Sequence, residues 1–242
     1  FLPGLVSGLN AVSRAVGEPG DGVVVHTPVY GPFLSAPANQ GRNLQVAPLA
    51  SSAAGQRLHY AVDFDRFEDV IDASSRLFIL CNPHNPVGRA FTRRELEQMA
   101  AVCEQHNLVI CSDEIHCDLL MNGTRHIPIA SLSPEVAQRT ITLMAPSKTF
   151  NIAGLHCAFA VIPNKELRDS MMHTGAWATM GSNIFGYAAA LAAYRDSNGW
   201  LADLLAYLGG NRDPVTACVR EQMPGVKLVP SEGTYLAWLD FS

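Results

Sequence analysis

Lysine is scarce in this sequence. Three occur in 242 residues, Lys148, Lys165 and Lys227, and Lys and Arg nowhere form a run. With a net charge of −5, a nucleic-acid groove is excluded, because it would need a basic patch. Long apolar runs are missing too. The stretch around Ala188 to Tyr194 is too short to span a bilayer. Phe1 to Leu9 has neither the basic start nor the apolar block of a signal peptide. No C-x-x-C pair occurs among Cys81, Cys103, Cys111, Cys117, Cys157 and Cys218, so the clustered spacing of a zinc site is absent. These cysteines read as buried free thiols in a reducing cytosol. His84, His116 and His126 do not fall at the i,i+4 spacing of a helical metal pair, and no acidic cluster completes a site. G-x-S-x-G and Walker motifs are absent. Gly17, Gly20 and Gly22 read as a turn between a helix and a strand.

About half the residues are hydrophobic and 16% are charged, the balance of an ordinary globular protein. The length allows a substantial core in one large domain, or one domain and part of another. Phe1 is not a methionine, and the final strand-like stretch stops without a turn, so the chain reads as a fragment of a longer protein.

Helical and strand patterns alternate along the chain. Apolar spacing predicts helices over Leu5 to Val16 and Asp63 to Ile71. Thr92 with Glu95 forms a capping box that opens a helix running to about His106. Further helices are expected at Lys165 to His173, Ile184 to Tyr194 and Trp200 to about Gln222. Short apolar runs predict strands at Val23 to His26, Leu77 to Cys81, Leu108 to Cys111, Thr140 to Met144 and Ala158 to Ile162. Val226 to Leu228 and Tyr235 to Asp240 read as two strands of a smaller domain. Continuous apolar strands alternating with helices imply an α/β fold, a sheet covered on both faces. Ligands of such sheets sit at the carboxyl ends of the strands.

Three of those ends carry unusual polar residues. Leu77 to Cys81 leads into Asn82-Pro83-His84-Asn85-Pro86-Val87-Gly88. Leu108 to Cys111 leads into Ser112-Asp113-Glu114-Ile115-His116. Thr140 to Met144 leads into Ala145-Pro146-Ser147-Lys148-Thr149-Phe150. An amine held in a partly apolar cleft favours its neutral, nucleophilic form, which singles out Lys148; the plain alternative is a solvated lysine at a strand end. Asp113, at the end of a buried strand, needs a partner. That partner is either a helix N-terminus or a cationic ring nitrogen. The proline-rich turn fixes the Asn85 amide in place, whether as a rigid turn or as a ligand-orienting group.

Taken together, N-P-x-N-P-x-G, then a strand and D-E-I-H, then a strand and S-K-T-F-N, resemble the pyridoxal-phosphate-dependent fold-type-I family of class I/II aminotransferases. The resemblance runs over essentially the whole chain. Finer features resemble the cystathionine β-lyase or C–S lyase branch: Thr27 to Phe33, Ser112 to Asp118, Ser147 to Leu155 and Glu232 to Trp238. The resemblance implies a mostly parallel sheet with helices on both faces. It places a cofactor-binding large domain over residues 1–199, without its N-terminal part. Residues 200–242 would be a linking helix and the start of a truncated C-terminal small domain.

The resemblance also implies roles. Lys148 would form the Schiff base with pyridoxal 5′-phosphate and then shuttle the proton at the substrate α-carbon. Asp113 would pair with the protonated pyridine nitrogen, and Asn85 would hydrogen-bond the ring 3-oxygen. His116 stands near that oxygen, where most aminotransferases of the family place a tyrosine. Tyr30 would stack on the ring. Gly4 and Leu5, at a helix start, would offer backbone N–H groups to the phosphate, and Ser147 a hydroxyl. His156 stands where many members carry a phosphate-anchoring arginine, a departure that favours the lyase branch.

The expected activity is a carbon–sulfur β-lyase that cleaves a thioether amino acid such as cystathionine to a thiol, pyruvate and ammonia. An aminotransferase on the same cofactor is the alternative, and a regulatory or binding protein that has kept the fold is a third. A homodimer with the active site at its interface and a cytoplasmic location are further expectations of the resemblance.

Overall fold

The computed structural model describes residues 1–121, 123–175 and 181–242. Helix α1 (Leu5–Ala15) leads to strand β1 (Gly22–Thr27), helix α2 (Pro32–Asn39) and strand β2 (Asn43–Pro48). The hairpin β3 (Ala50–Ala54) and β4 (Arg57–Ala61) follows, then α3 (Phe64–Asp69), β5 (Ser75–Cys81), α4 (Arg93–Gln105) and β6 (Val109–Asp113). The chain continues through α5 (Pro134–Gln138), β7 (Thr140–Met144), β8 (Phe159–Val161), α6 (Lys165–Gly175), α7 (Ile184–Asp196) and α8 (Asn198–Gln222). It ends in the short strands β9 (Lys227–Leu228) and β10 (Leu239–Asp240).

Six strands form the main sheet in the order β2-β1-β5-β6-β7-β8. The pairs from β2 to β7 are parallel, and β8 closes the edge antiparallel to β7. Side chains alternate across a strand, and here the alternation feeds two cores. Val23, Val25, Leu77 and Ile79 join Leu9 and Val12 of α1 and Phe33 of α2 on one face. Val24, Phe78 and Leu80 join Phe67 of α3 and Leu96 and Met99 of α4 on the other. Each such side chain contributes about 1.5–3 kcal/mol by leaving water, and burial on both faces explains why the strands read as unbroken apolar runs. The expected α/β class and parallel sheet are present.

Local signals set the helix starts. Asp63 caps α3 by accepting the Arg66 N–H at 3.1 Å. Thr92 and Glu95 form the predicted capping box of α4, with the Glu95 carboxylate accepting the Thr92 N–H at 2.8 Å. Gly17 and Gly20 take left-handed φ values of 70° and 93°, as a turn ahead of β1 requires.

Several elements escaped the sequence pattern. Apolar spacing does not predict helices α2 and α5 or strands β2, β3 and β4. Strand β3, Ala-Ser-Ser-Ala-Ala, is exposed throughout and is held by its register with β4 rather than by burial. A second sheet, in the order β10-β9-β4-β3, therefore combines residues 50–61 with the C-terminal strands. The strand expected over Tyr235 to Asp240 shrinks to Leu239–Asp240. Thr234 adopts φ 66°, and the Trp238 indole N–H turns to Tyr60 Oη at 3.2 Å, so the segment follows side-chain anchors instead of a ladder. The cysteine reading also needs correction: Cys81, Cys103, Cys111 and Cys157 are buried, but Cys117 is half-buried and Cys218 is exposed on α8.

Candidate active site

Strands β5, β6 and β7 lie side by side and end at Cys81, Asp113 and Met144. Their parallel direction brings the three polar clusters to one edge of the sheet. There they meet the start of α1 and enclose a cavity of about 350 Å³. Gly4, Leu5, Tyr30, Asn85, Asp113, His116, Ser147 and Lys148 all line it. The structure thus brings every candidate residue into one place.

The proline-rich turn is braced on several sides. His84 is buried, with Nε2 at 2.8 Å from the Pro28 carbonyl and Nδ1 at 3.2 Å from that of Cys81. Burial lowers its pKa to about 4, and the two carbonyl contacts oppose that shift. Asn85 donates its N–H to Cys81 Sγ, and its carbonyl accepts the Tyr30 N–H at 3.1 Å. Tyr30 and Asn85 are therefore tied together, with the Tyr30 side chain 46% exposed at the mouth. On the far side, Glu232 and Gly233 donate their N–H groups to the Gly88 carbonyl. A Cβ on Gly233 would fall 3.0 Å from the Leu119 carbonyl oxygen and 2.8 Å from a Leu120 methyl, so the approach requires glycine. The neighbouring Tyr235 ring stands edge-on to His116 at 6.1 Å.

Asp113 is buried, and its carboxyl accepts one N–H, from Ile115 at 3.1 Å. Among the described residues no cation comes within ion-pair distance of it. Burial pushes its pKa up from 3.8 to about 7; the Ile115 hydrogen bond opposes this, Glu114 adds to it and Lys148 opposes it. His116 is also buried, and its Nδ1 has no partner. Burial, and then the charge of Lys148, lower its pKa to about 4, leaving a neutral ring with one donor and one acceptor. Lys148 and Ser147 are half-buried in the turn after β7. That turn is closed by hydrogen bonds from Phe150 N–H to Pro146 O and Ile152 N–H to Ser147 O, and Thr149 Oγ1 reaches Asp118 at 3.3 Å. Gly4 caps α1 without a side-chain hydrogen bond, leaving the first-turn N–H groups open to an anion.

An unpaired carboxyl, an orphaned imidazole nitrogen, a lysine and an open helix start make a donor set for a flat, phosphorylated, cationic ring. Pyridoxal phosphate fits it. Ser7, Phe33 and Cys81 also line the cavity and were not singled out. Ser7 could have been found, because it falls in the first turn of the predicted α1. His156 lines it too, in a left-handed conformation at φ 49°. Among the described residues no group of three or more His, Cys, Asp or Glu could hold a metal, and no helix is long and apolar enough to cross a membrane.

The chain is similar to known proteins over its whole length. The aminotransferase class I and II profile matches residues 1–242. The chain is 40% identical over 247 residues to cystathionine β-lyase PatB of Bacillus subtilis (strain 168), covering all of this chain and 62% of that protein. Cystalysin of Treponema denticola, a structure containing pyridoxal 5′-phosphate, superposes with a TM-score of 0.94 at 34% identity, over 99% of this chain and 60% of that one. The crystal structure of OvoB superposes with a TM-score of 0.93 at 44% identity, over 99% and 62%. The chain thus spans about three-fifths of the length of the proteins it matches.

Proposed function

The chain belongs to the class I and II aminotransferase family, and from that premise we propose that it is the cofactor-binding part of a pyridoxal-phosphate-dependent carbon–sulfur β-lyase. Its substrate would be a thioether amino acid of the cystathionine type, converted to a thiol, pyruvate and ammonia. The observation that carries the reading is the meeting of Lys148, Asp113, Asn85 and His116 in one cavity, where Lys148 is the sole lysine. The 40% identity to a cystathionine β-lyase supports the lyase branch.

When bound, pyridoxal phosphate supplies an electron sink for the substrate α-carbon. The chain's own residues do the rest. Lys148 Nζ would anchor the cofactor and later take the α-proton, standing close enough for general base catalysis. The Asp113 carboxylate would hold the proton on the ring nitrogen. A cation there would also relieve the cost of the buried carboxyl, since an opposite charge favours its ionised form. The Asn85 amide and the neutral His116 ring would bind the ring oxygen, and Tyr30 would cover the ring face. Gly4 and Leu5 N–H groups and the Ser147 hydroxyl would hold the phosphate.

In this reading residues 1–199 form the large domain and residues 200–242 open the small one. The whole protein is a cytoplasmic homodimer with its site at the interface. The test is to supply the full-length protein with cystathionine and no keto acid. Pyruvate and a free thiol are expected. Turnover that requires an added keto acid and returns an intact thioether would make it an aminotransferase.

A further inference from the structure

The segment Ser231 to Ala237 runs between the proline-rich turn and the residues that follow His116. Its backbone pins it on both sides. The Gly233 N–H donates to the Gly88 carbonyl at 3.0 Å, the Met121 N–H to the Glu232 carbonyl at 2.9 Å and the Thr234 N–H to the Leu119 carbonyl at 2.8 Å. Thr234 is fully buried in a left-handed conformation. That backbone is costly for a residue with a Cβ and persists only where the surroundings enforce it, often at functional sites. The Thr234 hydroxyl accepts the Leu236 N–H at 3.2 Å. The strained turn leaves the ring between them, Tyr235, 44% exposed and edge-on to His116.

His116 lines the active-site cavity, and Tyr235 lines a second cavity of about 150 Å³. The ring pair, with centroids 6.1 Å apart, therefore stands between the two. The walls of the second cavity are mainly apolar, with Leu208 and Val215 of α8 facing Met121, Leu228 and Leu236. An apolar cavity of that size takes a benzene-sized group. The cation in its wall, Arg212, is already engaged. It donates to Asp213 at 2.6 and 2.9 Å, and its Nη1 lies 3.7 Å from the Met121 sulfur. An ammonium or carboxylate entering this space would give up its water for mostly apolar walls, which is unfavourable. A thioether sulfur is instead attracted to an aromatic ring.

We propose that Tyr235 is a specificity-determining residue: its ring receives the sulfur of the thioether substrate, and the cavity behind it takes the substituent of the leaving thiol. The substrate class is then a cysteine thioether with a compact apolar S-substituent, in preference to one whose leaving thiol is itself an amino acid. The role in turnover rests on the lyase reading above; the cavity's preference for a small apolar group does not.

The test compares S-benzyl-L-cysteine, S-methyl-L-cysteine and cystathionine as substrates of the full-length protein loaded with pyridoxal phosphate, following pyruvate. S-benzylcysteine should give the highest kcat/KM, about 10-fold or more above cystathionine. Equal values, or a preference for cystathionine, would overturn the proposal, and this comparison needs no variant to fold. Tyr235→Ala should lower kcat/KM for S-benzylcysteine roughly 2- to 10-fold, the span of one sulfur–aromatic contact, mainly through KM. Tyr235→Phe keeps the ring and should lose less. Val215→Phe, which fills the second cavity, should depress S-benzylcysteine about 10-fold more than S-methylcysteine. An equal loss on both substrates would show that the cavity does not hold the substituent. Pyruvate from none of the three thioethers would sink the lyase reading instead. The cavity is then judged on the cofactor-free protein labelled at tyrosine, by carbon NMR with benzyl methyl sulfide added. The Tyr235 signal, assigned by its loss in Tyr235→Phe, should move, and Val215→Phe should abolish the movement. An unmoved signal would overturn the cavity assignment as well.

Discussion

Two buried polar clusters sit at the same end of the main sheet, and they are satisfied to very different degrees. At the junction of the proline-rich turn with α4, Arg89 donates to the Tyr60 carbonyl and both Glu95 oxygens at 2.8–3.1 Å. Glu232 stands 3.7 Å from Arg89 Nε and accepts the Ala90 N–H at 2.9 Å. In the cavity, Asp113 accepts one N–H and His116 Nδ1 has none to meet. Arg89 Nε lacks a hydrogen-bond partner, as His116 Nδ1 does. At the junction, however, each charge faces an opposite charge, whereas among the described residues Asp113 has no ion pair. Buried charges are retained when paired, so the junction reads as scaffold and the cavity as a ligand site. Substitutions should divide along the same line. Cavity changes should cost chemistry, and junction changes should cost stability.

The largest effect tests the cavity side. Lys148→Ala in the full-length protein should lose the borohydride-trapped cofactor and reduce turnover roughly 10³-fold or more, with a melting temperature close to that of the unmodified apoprotein. Peptide mapping checks it. A trapped label that persists on another residue would break the assignment of the cavity's central group.

Asp113→Asn comes next, and here the two costs point in opposite directions. The Asp113 pKa rises from 3.8 to about 7 in the folded chain. Between those values the folded state keeps a proton that the unfolded state has released. The group's stabilising contribution is therefore full below about pH 4 and is lost as pH rises through 7. A neutral isostere escapes that loss. The cofactor-free variant should be more stable than the original at pH 8, by at most about 4 kcal/mol, with the gap closing toward pH 4. Denaturant titrations across that range measure it. The same variant should bind pyridoxal phosphate more weakly. A variant that is both less stable and equally good at binding would place Asp113 with the scaffold.

Arg89→Ala is the matching test of the junction. It strands Glu95, whose side chain is 17% exposed, and Glu232, more open to solvent at 38%. With that screening the loss is about 2 kcal/mol. Trapping of the cofactor on Lys148 should survive at temperatures where the variant remains folded. Loss of trapping in a folded variant would show that the two clusters are one.

The same contrast explains what the sequence made legible. The site could be read because its residues come in contiguous blocks after apolar strands, and a parallel sheet puts successive strand ends at one edge. Lys148, Asp113 and Asn85 needed only that rule to converge. Ser7 was within reach of the same reading, in the first turn of the predicted α1, whereas the place of Phe33 in the cavity depends on the packing of α2, which a pattern of apolar spacing does not fix. The junction was half legible. Thr92 and Glu95 announced a capping box, but the role of Arg89 depends on Tyr60 and Glu232, far away in the chain. Strands β3 and β4 were hidden for a related reason, since pairing rather than burial holds them. Helix α7 is the opposite case. Its apolar run was easily read as a helix, yet only Gly186 and Ala193 are buried, while Ile184, Phe185 and Leu191 stay exposed. Periodicity can report a helix without reporting what covers it.

The smallest prediction probes the junction from its edge. Thr92→Ala removes the hydroxyl that accepts the Glu95 N–H at 3.3 Å and donates to Glu95 Oε2 at 2.8 Å. Loss of such a cap costs about 1 kcal/mol. Glu95 would keep its bonds to Arg89 and to the backbone N–H of position 92, so the ion pair should hold. Because Thr92 and Arg89 share Glu95, their effects should not add. Once Arg89 is gone, Glu95 has lost its charged partner and leans more on the cap, so Thr92→Ala should cost more in that background, by roughly 0.5 kcal/mol or more. A double-mutant cycle by urea denaturation reads that coupling directly. A coupling near zero would mean that the capping box and the ion pair act separately, and the junction would then be two small local motifs rather than one satisfied cluster set against the cavity.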